Sequence, residues 1–282
     1  MIKIISDSTC DLSKDLLEKY DITILPLHVI LGEDDNLDGV NITPDEIYTW
    51  ADANKTTPKT SAPSIEEAIA TIKPFIDNGD EVITFSVSKE MSASCNVMRL
   101  ASEALEAEDR VYVVDSANLS TGVGLLIIEA ATMAANGMAA SDIVTKLDEL
   151  KPLVRASFVV DTLTYLHRGG RCSAVAALAG GVLKLHPMII VENGKMIVGK
   201  KYRGKMNNVI ATYTKDLEEQ LLNSKKERVF ITHSGCDETI LAEVRSYLES
   251  LGYFDEILTT RAGAVISSHC GVGTLGVLFI SK

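Results

Sequence analysis

Four short runs rich in Ile, Val or Phe, at Lys3 to Ser6, Thr23 to Ile30, Glu81 to Val87 and Arg110 to Asp115, alternate with stretches of helical apolar spacing. This alternation constrains the fold most, because strands joined through helices pair in parallel and are covered on their faces by those helices. Pro26 has no backbone N–H to give to a sheet ladder, so the second run is expected at an edge or with a bulge.

The helix starts are marked by their capping chemistry. Thr43-Pro44-Asp45-Glu46 and Ser64-Ile65-Glu66-Glu67 each place Glu three residues after a hydroxyl, the spacing of a capping box. Leu12, Leu16, Leu17 and Tyr20 follow Asp11 or Ser13, and Val97, Leu100, Ala101 and Leu105 follow Ser92 or Ser94, at helical spacing. A helix from Leu119 to about Asn136 stops at Gly137, and another from Ser141 to Leu150 stops before Pro152. A domain boundary is expected there, dividing residues 1–150 from 151–282.

Beyond it the sequence predicts a strand (Ser157 to Val160), a glycine turn (Gly169-Gly170), a small-residue helix (Ser173 to Leu185) and a hairpin. The hairpin pairs Met188 to Glu192 with Met196 to Tyr202 around Asn193-Gly194, residues that tolerate the positive φ of a tight turn. A helix (Lys205 to Leu222), a strand (Arg228 to Thr232), a helix (Glu238 to Leu251) and strands at Glu256 to Thr260 and Leu275 to Ile280 complete the chain.

Charge and composition restrict the partners. A formal net charge of −12 repels phosphate backbones, and 5% aromatic residues supply few stacking platforms, so nucleic acid is not an expected partner. No apolar run reaches the roughly 20 residues of a membrane span. The amino-terminal residues enter a strand directly without the pattern of a signal peptide, so the expected location is the cytoplasm. Five widely spaced cysteines fit neither a disulfide framework nor a zinc knuckle and are expected as reduced thiols. The five histidines show no metal-ligand spacing, and no nucleotide-binding loop is present. Gly271-Val272-Gly273-Thr274-Leu275-Gly276 matches G-x-G-x-x-G, but it precedes a strand instead of opening a helix, so neither metal nor dinucleotide cofactor is expected.

Four loops collect hydroxyls or short polar residues: Ser6 to Thr9, Thr60 to Ser64, Ser88 to Ser94 and Asp115 to Asn118. In open parallel sheets ligands sit beyond the carboxyl ends of the strands, and helix starts attract anions. Capping alone also accounts for Ser, Thr and Asp at these positions. Arg171, after Gly169-Gly170, is the cation most suited to a carboxylate, or else a surface arginine after a turn.

Together these segments resemble the DegV family, including the fatty-acid-binding subunits of bacterial fatty acid kinase. The likeness rests on Ser6-Asp7-Ser8-Thr9-Cys10-Asp11-Leu12, on Thr60-Ser61-x-Pro63-Ser64, on Asp161-Thr162-Leu163-x-Tyr165-Leu166-x-Arg168-Gly169-Gly170-Arg171 and on His269-x-Gly271-x-Gly273-x-x-Gly276. The resemblance implies an α/β fold of two domains, an N-terminal three-layer α/β/α domain on a parallel sheet and a C-terminal mixed-sheet α/β domain. It implies a long-chain fatty acid as ligand, with Thr60 and Ser92 on its carboxylate. His269 and Arg171 fall in the surrounding polar network, and Arg203 matches a position that docks a kinase partner. The sequence departs from the family pattern at Ala62, where Gln is usual, and in Ser88 to Ser94, which keeps Ser92 but lacks the glycines and puts Glu90 near the expected carboxylate.

The expected role is thus a non-enzymatic carrier that presents a fatty acid to a separate kinase catalytic subunit. The alternative is a hydrolase or acyltransferase using Ser92 or Cys270 with His269 as base. A third reading is a sensor or scaffold whose partner surface matters more than its ligand. The small-residue run Ala174 to Gly181 is a candidate for housing the tail, or for packing a close helix pair.

Overall fold

The computed structural model describes residues 1–172 and 185–282. The expected small-residue helix lies outside the described residues, apart from Leu185, which opens a strand, and so does the run Ala174 to Gly181.

A four-stranded parallel sheet is built from β1 (Ile2–Asp7), β2 (Ile22–Leu25), β6 (Glu81–Ser86) and β7 (Val111–Asp115), in the order β2-β1-β6-β7. Side chains alternate across it. Ile5, Val82 and Val111 pack against α3 (Ile65–Asp77) and α4 (Ser94–Ala104). Ile4, Ile83, Phe85 and Val114 face α5 (Thr121–Ala135) and α6 (Ala140–Leu150). The result is the three-layer α/β/α arrangement, both sheet faces being apolar and covered.

The run Thr23 to Ile30 is not one strand. At Pro26 the chain leaves the parallel sheet after β2, an edge strand, and the Leu27 N–H turns to Ser8 Oγ at 3.1 Å. The remainder, β3 (His28–Leu31), joins β4 (Asp34–Leu37) and β5 (Lys59–Ser61) in a small antiparallel sheet that the sequence pattern did not announce. The loop carrying Thr60 is therefore partly strand, with Thr60 opposite Val29. Both expected capping boxes form, at the starts of α2 (Pro44–Asn54) and α3. Neither Ser92 nor Ser94 caps α4. Ala93 occupies that position, and Ser92 Oγ instead accepts the Ser94 N–H at 3.3 Å.

The second sheet is mixed, in the order β10-β9-β8-β13-β11-β12. It comprises β8 (Val154–Val159), β9 (Leu185–Glu192), β10 (Lys195–Arg203), β11 (Arg228–Ser234), β12 (Glu256–Arg261) and β13 (Thr274–Ile280), and only β11 and β12 pair in parallel. Its outer face buries Val229, Ile231, Val277 and Phe279 beneath α8 (Met206–Asp216) and α10 (Glu238–Ser250). The expected helix Lys205 to Leu222 is broken at buried Leu217, whose N–H bonds three residues back to Thr214 O at 3.3 Å, and a short α9 (Glu218–Leu222) follows.

The inner face of the mixed sheet places Ala156, Phe158, Phe230 and Leu278 in the same core as Ile4, Ile83 and Phe85. Helix α5 lies between the two sheets, and Thr121 to Ile128 are all buried. A helix that is apolar all round needs partners on every side. One continuous core therefore joins the parallel-sheet half to the mixed-sheet half.

Candidate functional site

The site is organised by a seven-residue helix, α11 (Ala264–Cys270). Its small residues, Ala264, Ser267 and Ser268, are buried, and its start is held by two buried carboxyl groups from the first half of the chain. The Gly263 N–H donates to Asp11 Oδ1 at 2.8 Å and the Ala264 N–H to Asp38 Oδ1 at 2.7 Å. Asp38 also accepts from Ser8 Oγ at 2.8 Å. A third buried acid, Asp7, accepts from Thr9 Oγ1 at 2.6 Å and from the Val87 N–H at 2.9 Å, fixing the end of β6 just before the Ser88 to Ser94 loop. The Ser6 to Thr9 loop thus works largely as framework, although Thr9 also touches the cavity described next. Burial raises the three carboxyls, Asp7 to about 6, Asp11 to about 8 and Asp38 in the same direction.

The C-terminal turn of α11 faces a cavity of about 290 Å³. Thr60, Ser92, Arg171 and His269 all line it, whereas Arg203, at the exposed end of β10, does not. Leu27, Val87, Met91, Leu119, Met196 and Ile266 supply apolar walls. A smaller void of about 30 Å³ shares Leu119, Ile266 and Cys270 with it. His269 and Cys270, although adjacent in sequence, both reach the larger cavity.

His269 Nε2 lies 2.8 Å from Thr60 Oγ1, a contact between residues 209 positions apart. Its Nδ1 is enclosed and, among the described residues, has no hydrogen-bond partner. Gly169 presses against this edge of the ring: a Cβ there would stand 2.3 Å from Nδ1. Burial, assisted by the Arg171 charge, pushes the imidazole down to about 4, so it is neutral at pH 7. An enclosed donor without an acceptor is costlier than an idle lone pair, so hydrogen-bond accounting puts the single proton on Nε2. The Nε2–H then donates to Thr60 Oγ1, and the threonine hydroxyl hydrogen is left to serve another acceptor. Ser92 Oγ lies 2.9 Å from Ser94 Oγ. The exposed Arg171 guanidinium donates to Gly169 O at 2.8 Å.

Two expectations change. Glu90 is not among the residues lining the cavity, and its carboxylate pairs with Lys195 at 3.3 Å. For hydrolysis, Ser92 would need a basic neighbour, but His269 Nε2 is engaged by Thr60 and the ring is a weak base. Cys270 is pushed up to about 12 by burial, which keeps it a thiol. Among the described residues no group of three or more His, Cys, Asp or Glu side chains is arranged to hold a metal ion, and no helix is long and apolar enough to cross a membrane.

Met91, Met196 and Leu119 also wall the cavity and carry no motif that marks them in the sequence. Met196 was accessible from alternation counted outward from Asn193-Gly194, whereas Met91 and Leu119 lie in loops without a period.

Fold and site together define an α/β protein of two large sheets and a small antiparallel third, with a largely apolar cavity lined also by hydroxyls and a neutral histidine. A family model described as "uncharacterised protein, DegV family" matches residues 1–282, and the chain belongs to the DegV family. A DegV domain-containing protein of Clostridium perfringens is 31% identical, with 100% of this chain and 99% of the relative covered. Among solved structures, a fatty-acid-binding DegV family protein from Thermus thermophilus is 30% identical, with a TM-score of 0.91 over 100% of this chain and 99% of its own. A stearic acid-binding protein from Eubacterium ventriosum is 34% identical, with a TM-score of 0.86 over 100% and 99% of the two chains.

Proposed function

We propose that this protein binds a long-chain fatty acid, with its carboxylate held by the hydroxyls of Thr60 and Ser92 and its acyl chain in the apolar cavity. The observation that carries this reading is the Thr60–His269 contact: the neutral imidazole occupies the threonine oxygen as a donor and directs the threonine hydrogen to an acceptor in the cavity. Arg171 on the cavity wall supplies local positive charge in a chain of net charge −12. The acyl chain provides the affinity, at about 0.8 kcal/mol per buried methylene, and the head-group hydrogen bonds, at roughly 1.5–3 kcal/mol each, set its direction.

In this reading residues 1–150 contribute Thr60 and Ser92, and residues 151–282 contribute Arg171, His269 and a partner surface that includes Arg203. The protein acts as a carrier without catalytic groups of its own and presents the carboxylate to a separate kinase catalytic subunit. The similarity to fatty-acid-binding proteins over the whole chain supports the ligand class. The kinase step follows from the family resemblance and has its own test: Arg203→Glu is expected to abolish kinase-dependent acyl-phosphate formation while fatty acid binding persists. Equal acyl-phosphate formation by the variant would remove Arg203 from the docking surface. The ligand itself is tested by denaturing the purified protein and analysing the extract by mass spectrometry. A protein recovered empty, and unable to bind added stearic acid, would overturn the assignment.

A further inference from the structure

The Ser88 to Ser94 loop contains no glycine and no residue of positive φ, yet it makes a tight turn beside the cavity. Its shape comes from hydrogen bonds. Ser88 O accepts the Met91 N–H at 2.8 Å and the Ser92 N–H at 3.2 Å, and Ser88 Oγ accepts the Glu90 N–H at 3.2 Å. The hydroxyl of Ser88 is fully buried and donates across to Gly194 O at 2.7 Å, 106 residues away.

That acceptor belongs to the turn between β9 and β10, where Asn193 (φ 51°) and Gly194 (φ 77°) reverse the chain. Hairpin tips ordinarily face water. Gly194 is buried instead, because the tip is seated on the Ser88 to Ser94 loop. A Cβ at Gly194 would stand 2.6 Å from Ser88 Oγ and 3.4 Å from Glu90 Cγ. Lys195, the next residue, pairs with Glu90 at 3.3 Å, and Met196 after it lines the same cavity as Met91 from the loop.

We propose that the β9–β10 turn is a positioning element of the head-group site, with Ser88 transmitting its seating to Ser92. This rests on the carboxylate reading of Ser92. The turn adds a brace from the second half of the chain to a loop whose own backbone hydrogen bonds set its shape. Ser88 and Gly194 do not line the cavity and act only through the loop. Lys195 and Glu90 add a solvent-facing ion pair that favours the seated state.

Stearic acid and its methyl ester separate this role from general destabilisation, since they share a tail and differ in the charge of the head group. Ser88→Ala removes both the donor to Gly194 O and the acceptor of the Glu90 N–H, and is expected to weaken binding of the acid about two- to tenfold while ester binding stays unchanged. Lys195→Glu, an exposed change that sets two like charges together, is expected to act in the same direction with an unchanged circular dichroism spectrum. Adding Glu90→Lys to it restores the pair and the affinity for the acid. Equal losses for acid and ester, or no loss for either in the folded variants, would overturn the proposal. A wild-type protein that binds both without distinguishing them would instead overturn the carboxylate reading on which it rests.

Discussion

Replacing Thr60 by Val removes one hydroxyl and keeps the branched shape, so its consequences can be worked out bond by bond. Two interactions are lost. The first is the proposed hydrogen bond from Thr60 to a ligand carboxylate, which, being to a charged acceptor, is worth roughly 1.5–3 kcal/mol, or about 10- to 150-fold in dissociation constant. The second is the acceptor for the His269 Nε2–H at 2.8 Å. An unpaired buried donor costs roughly 1–3 kcal/mol, which appears as a lower unfolding free energy with or without ligand. Thr60→Ser keeps both interactions and is expected to bind within about twofold of wild type, since only a methyl group is removed. Calorimetric titration with stearic acid, and urea unfolding of the ligand-free proteins, read the two losses separately. A folded Thr60→Val protein with wild-type affinity would refute the donor role of Thr60, and undiminished stability would refute the assignment of the histidine proton.

Gly169→Ala would set a Cβ 2.3 Å from His269 Nδ1, displacing the ring from Thr60; weaker binding of the acid is expected, and unchanged affinity would show that the ring does not orient Thr60. The buried carboxyls predict a pH dependence: Asp7 at about 6 and Asp11 at about 8 bind protons in the folded state that the unfolded chain, near 4, has already released. Their contribution is full below about pH 4 and lost as pH rises through about 8, with one proton of difference worth about 1.4 kcal/mol per pH unit. Asp11→Asn, which preserves an acceptor for the Gly263 N–H and a partner for Ser120, is expected to flatten this decline, and a urea midpoint with the same fall from pH 5 to pH 8 in both proteins would contradict it. Cys270, with its thiol pushed up to about 12, is expected to resist iodoacetamide at pH 8 and to react more slowly still with stearic acid present; prompt labelling unaffected by stearic acid would place it outside the cavity.

The elements legible in the sequence are those specified by their own residues. Asn193-Gly194 adopts positive φ at both positions, and Thr43 with Glu46 and Ser64 with Glu67 close the capping boxes that their spacing implied. Strand β5 could not be read this way, because Lys59, Thr60 and Ser61 form a strand only by pairing with β3 beyond the Pro26 break. Helix α11 was equally hidden. Seven residues, β-branched Val265 and Ile266 among them, give a weak local signal, and the N–H groups at its start are held by Asp11 and Asp38, more than 220 positions away. The same division holds at the site. Thr60 and Ser92 were identifiable as hydroxyl-bearing loop residues, but the neutral imidazole that orients one and the hairpin tip that braces the loop of the other depend on contacts no local pattern records.

In the proposed function a fatty acid lies in the cavity with its carboxylate on Thr60 and Ser92. The most direct measurement combines extraction and mass spectrometry of the purified wild-type protein with titration of stearic acid into the wild type and the Thr60→Val/Ser92→Ala double variant. A long-chain fatty acid in the wild-type extract, and a folded double variant with affinity for the acid reduced by about a hundredfold or more, are the predicted results. An empty wild type that takes up no acid, or a folded double variant that binds as tightly as wild type, would contradict the account.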